Sequence, residues 1–125
     1  MREFVIDGNR FATLSEFFAE IDGVFALETE SWGHNLDAFN DILSWFGEEG
    51  SYRIVWRNAD LSEVRLGYDE TVAWLTERMR NAHPSNRLHI AERLADAERR
   101  TGETLFDQIV EIIRQNRGDA ELLLE

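Results

Sequence analysis

Three short apolar runs, set near the start, the middle and the end of the 125-residue chain, constrain its fold more than any other feature. "REFVIDG" alternates and closes on Asp7-Gly8, the pattern of a strand running into a turn. "SYRIVWRNA" has Ile54, Val55 and Trp56 at its centre, and "AELLLE" is a third strand-like run. Helical periodicity fills the sequence between them. Strands separated by helices become neighbours through long crossovers, which makes them parallel. The expected fold class is therefore α/β, with a small three-stranded, mainly parallel sheet. Three short strands enclose little, so helices are expected to cover the sheet.

"TLSEFFAEIDGVF" places Leu14, Phe17, Phe18 and Ile21 at helical spacing, with Thr13 or Ser15 as N-cap and Gly23 past the end. After the loop "ALETESWGHN", Asn35 caps a helix beginning at Leu36. Leu36, Phe39, Leu43 and Phe46 form its apolar stripe, and Gly47 ends it. "LSEVRLG" reads as an irregular or short helical connection. Residues 68–82 form a helix presenting Val72, Leu75 and Met79. Pro84 separates it from "SNRLHIAERLADAERR", which presents Leu88, Ala91 and Leu94. Gly102 breaks the chain before "ETLFDQIVEIIRQNR", with Leu105, Ile109, Ile112 and Ile113 apolar and a stop at Gly118. No repeat or long linker divides the chain, so one domain over residues 1–125 is expected.

Charge bounds the function. The formal net charge is −12, and all 13 basic residues are arginine. Such a surface repels nucleic acid and membranes, and favours basic proteins. The excess is local. From Phe11 to Tyr52 there are nine acids (Glu16, Glu20, Asp22, Glu28, Glu30, Asp37, Asp41, Glu48 and Glu49) and no Arg, whereas Arg53–Glu125 carries 14 acids against 11 Arg. Cysteine is absent, which removes disulfides, thiolate zinc sites and Cys nucleophiles. No phosphate-binding glycine loop, nucleophile elbow or nucleic-acid motif is present. His83 and His89, six residues apart, do not share a helical face. With no apolar h-region at the start and no membrane-length apolar run, a cytoplasmic protein without cofactor is expected.

The helix from Leu36 carries the sharpest signal. Asp37, Asn40, Asp41 and Ser44 fall at i, i+3, i+4 and i+7, opposite the apolar stripe. Two acids one turn apart repel, and neither has an Arg or Lys three or four residues away. Asp37 complements the helix dipole in the first turn; Asp41 has no such local reason. A plain solvated face is one reading. A second is docking onto a cationic cleft of a partner protein, whose Arg, Lys or His would pair with the aspartates, as in an acidic adaptor for a basic protein. A third is a divalent-metal hydrolase using His34, Asp37 and Asp41, which needs further ligands that no motif supplies.

At these residues, "WGHNLDAFNDIL" resembles the barstar family, the intracellular inhibitors of the ribonuclease barnase, in their aromatic-Gly-x-Asn-Leu-Asp-Ala-hydrophobic-x-Asp pattern. "FVIDGNRFATLSEFFAEI", "YRIVWRNADL" and the last helix, Gly118 and final strand also fit, so that roughly three quarters of the chain can be placed. The resemblance implies an inhibitor or immunity protein that plugs the active site of a basic, extracellular-type ribonuclease or nuclease toxin with this helix and the loop before it. It implies no enzymatic activity. Asp41 would be the principal phosphate mimic, with Asp37 beside it; Gly33, Asn35 and Ser44 would line the rim, and Trp32 would give a flat apolar contact in place of the family's tyrosine. Asn40 replaces an aromatic residue before the key aspartate, and Trp45 stands where the family has glycine. "RQNRG", with Arg114 and Arg117, replaces a stretch that contributes a glutamate. Residues of about 68–100 have no counterpart in the family and would add two helices. Their arginines, 78, 80, 87, 93, 99 and 100, are expected to form solvated helix faces.

Overall fold

The computed structural model describes residues 1–27 and 32–125. Strands β1 (Arg2–Asp7), β2 (Tyr52–Arg57) and β3 (Ala120–Leu124) form one sheet in the order β1-β2-β3. Both pairings are parallel, with Ile54 opposite Phe4 and Leu122. A single 3-10 turn (Gly8–Arg10) follows β1. The helices are α1 (Leu14–Val24), α2 (Leu36–Gly47), α3 (Ala59–Arg65), α4 (Tyr68–Asn81), α5 (Pro84–Glu98) and α6 (Leu105–Gln115). The fold is α/β as the three apolar runs required.

Strand alternation decides where the core lies. Ile6, Tyr52, Ile54, Trp56 and Ala120 are buried on one face, against Phe17, Ile21, Phe39, Leu43, Ile109 and Ile113 of the helices. The other face is not covered as expected. It carries a row of Glu3, Arg53 and Glu121, with Arg53 3.8 and 3.3 Å from the two carboxylates. A second row follows, Val5, Val55 and Leu123, whose outer members are 37 and 39% exposed. One layer of helices suffices because the strands are short and the second face is screened by ion pairs rather than by packing.

Helix ends follow their capping residues. Thr13, not Ser15, caps α1 through Glu16 N at 3.1 Å. Gly47 ends α2 as expected, whereas Gly23 lies within the last turn of α1 rather than beyond it. Thr104 and Asp107 form a reciprocal capping box that starts α6. Pro84 is the first residue of α5 rather than a separator.

Helices α4 and α5 form a hairpin with a small core of Leu75, Ile90 and Ala97. The expected face of α5 is rotated: Leu88 is 72% exposed, and Ile90 is buried instead. Trp74 packs against both this core and the main one. The hairpin is also tied to its neighbours by Leu105 N to Thr71 Oγ1 at 2.9 Å and Leu14 N to Glu70 Oε1 at 3.2 Å.

Candidate protein-binding site

Helix α2 is held from several sides, so its outer face is presented on a rigid support. Asn35 caps it, its Oδ1 accepting from Ala38 N at 2.8 Å. Phe39, Ile42 and Leu43 are buried, whereas Leu36 and Phe46 are only partly so; Ile42 belongs to the core side that a narrow stripe had omitted. Tyr52 of β2 donates its hydroxyl to Leu43 O at 2.7 Å, and burial pushes that phenol well above its ordinary pKa range. At the C-terminal end, Arg2 of β1 donates to Phe46 O and Gly50 O, both at 2.6 Å. A cation from another element thus meets the negative end of a helix whose own last turn has none.

On the outward side Asp37, Asn40, Asp41 and Ser44 are all exposed. The structure divides them. Asn116, just past α6, donates from Nδ2 to Asn40 Oδ1 at 2.7 Å, and its own Oδ1 accepts from Ser44 Oγ at 3.0 Å. Asn40 and Ser44 therefore brace α2 against α6, a link spanning more than seventy residues that no local pattern signals. Asp37 and Asp41 have neither a hydrogen-bond partner nor an ion pair for their carboxylates among the described residues. Exposed Glu48, at the end of α2, is likewise without a partner among the described residues, whereas Glu16 accepts from Ala12 N, Glu20 from Asp7 N, Asp22 from Trp32 Nε1, and Glu49 pairs with Arg2. Glu28 and Glu30 lie outside the described residues.

The preceding loop is set by two successive left-handed residues, Gly33 (φ 82°) and His34 (φ 47°). His34 does not join Asp37 and Asp41. Its ring stacks on Phe18, and Nε2 lies 3.0 Å from Asp22 Oδ2. Trp32 donates Nε1–H to Asp22 Oδ1 at 2.6 Å and packs edge-on to Phe18. Asp22, nearly buried at the end of α1, thereby fixes the loop from beneath. The metal reading of His34, Asp37 and Asp41 is thus corrected: the imidazole is drawn inward by Asp22, and no group of three or more potential ligands gathers among the described residues.

Trp45 joins this surface, a position outside the expected site residues. It is 67% exposed, one turn beyond Asp41 on the same face. With Trp32, Asp41, Ser44 and Glu48 it lines a groove of about 480 Å³. The signal was available, since Trp45 lies outside the apolar stripe of its helix, and exposed tryptophan is costly unless something covers it.

An unpaired acidic ridge thus stands on a braced helix, beside an exposed indole. The chain belongs to the barstar family: the family model described as Barstar (barnase inhibitor) matches residues 1–113. No curated protein matches the chain.

Proposed function

We propose that this protein inhibits a basic ribonuclease or nuclease toxin by occluding its active-site cleft with α2 and the loop before it. The observation that carries this reading is the pair of exposed, unpartnered carboxylates of Asp37 and Asp41 on an otherwise braced helix. Asp41 substitutes for an RNA phosphate in the cleft, with Asp37 beside it. Trp32 and Trp45 supply apolar walls, while Gly33 and Asn35 shape the rim and Asn40 and Ser44 hold the helix in register. On this reading the α4–α5 hairpin, within residues 68–100, is an addition to the inhibitor fold, and the protein acts in the cytoplasm as an immunity protein.

The test is titration of the protein into an assay of a basic barnase-type ribonuclease, beside Asp41→Ala. Stoichiometric inhibition is expected. Leaving a buried cationic cluster without its counter-charge costs about 3–5 kcal/mol, so the substitution should weaken inhibition at least about a hundredfold. Inhibition that survives Asp41→Ala would refute the plug, and a partner bound without dependence on Asp41 would favour the adaptor.

A further inference from the structure

The arginines of the hairpin are not equivalent. Arg80, Arg99 and Arg100 pair with Glu77, Asp96 and Asp69. Arg78 and Arg93 have no carboxylate within ion-pair distance among the described residues. Instead both guanidinium groups lie over one indole, 5.0 and 5.6 Å from the centre of the Trp74 ring. Two like charges brought together repel, and cation–π contact offsets only part of that. Both line a cavity of about 500 Å³ between the hairpin, α6 and the N-terminal end of α2. Gln108 lines it too. The first turn of the twelve-residue helix α2 closes the cavity at Asn35 and Asp37, adding the positive end of its dipole.

We infer that this cavity is a binding site for an oxyanion, a carboxylate or phosphate group, held by Arg78 and Arg93. Guanidinium forks match both anions by paired, charge-assisted hydrogen bonds. Burial, and then the neighbouring Arg78, lower the pKa of Arg93, as expected of a cation lacking its counter-ion. Two acids oppose the site, Asp37 on the cavity wall and Glu103 near Arg93, yet neither reaches an arginine within 4 Å. The cavity is larger than one oxyanion, so the anion is the head of a larger group, either a phosphorylated small molecule or an acidic side chain of a docked protein. The site does not depend on the nuclease reading.

Proton–nitrogen correlation spectra of the labelled protein, titrated with inorganic phosphate and separately with malonate at constant ionic strength, test this. The Arg78 and Arg93 Nε–H signals should shift and saturate. The Kd should rise at least roughly tenfold in Arg78→Gln and in Arg93→Gln, the loss of about one charge-assisted bond. Arg78 is exposed, so that variant keeps the fold if packing at Arg93 does not tolerate change. Arg87→Gln, on the same hairpin but outside the cavity, should bind as the parent does. Tighter phosphate identifies a phosphorylated ligand, and tighter malonate an acidic side chain. Shifts linear in both anions, unchanged in Arg78→Gln, or equally lost in Arg87→Gln, would overturn the site.

Discussion

Trp45 and Asp22 show how single residues divide the work of the acidic face. Trp45 stands largely in water beside Asp41, outside the hydrophobic core. Covering about 80 Å² of apolar surface contributes about 2 kcal/mol at ~25 cal/mol per Å². Trp45→Ala should therefore weaken inhibition roughly thirtyfold while the thermal midpoint stays put; an unchanged inhibition constant would remove the indole from the interface. Asp22 acts in the opposite way. It holds Trp32 and His34 from below, and Asp22→Ala leaves the indole N–H without its acceptor. Urea titration should show a loss of about 1–3 kcal/mol. His34 and Asp22 are twelve residues apart across a loop whose backbone depends on left-handed φ values, and sequence spacing gives no access to such a pairing.

At the scale of elements, boundaries marked by side-chain chemistry were readable, and those set by distant packing were not. Asn35 announces α2 because its carboxamide satisfies a free amide of the first turn. Helix α3 was not clear because its N-cap is Asn58 in a left-handed conformation, with no side-chain cap bond. Ile42 falls outside a four-residue stripe yet is buried, because α2 meets Tyr52 of the sheet as well as α6, which widens its buried arc. The acidic ridge itself was legible, but the bracing of Asn40 and Ser44 by Asn116 was not. Gly47 gives the clearest test at this scale. A Cβ there would run into the side chain of Asp119, the residue leading into β3. Gly47→Ala should cost about 1–3 kcal/mol by urea unfolding; a neutral effect would mean that the α2–β3 junction yields freely.

Taken whole, the molecule concentrates its charge rather than spreading it. A net charge of −12, with an arginine-free stretch from Phe11 to Tyr52, gives α2 a field that reaches beyond contact distance. Screening shortens that reach from about 30 Å in ~0.01 M salt to about 3 Å in ~1 M. The association rate with a basic nuclease should fall at least roughly tenfold across that range while the dissociation rate changes less, as stopped-flow mixing would reveal. Equal changes in both rates would mean that the charges act only after contact.

The open face of the sheet has a practical consequence. Val5, Val55 and Leu123 point away from the layer that holds α2, so whatever is attached there stays clear of the acidic ridge. The sequence contains neither cysteine nor lysine. A thiol introduced in place of the half-exposed Leu123 would be the molecule's single sulfhydryl, so a dye or a sensor surface could be fixed there in one orientation. Every captured copy would then turn the same side toward the solution.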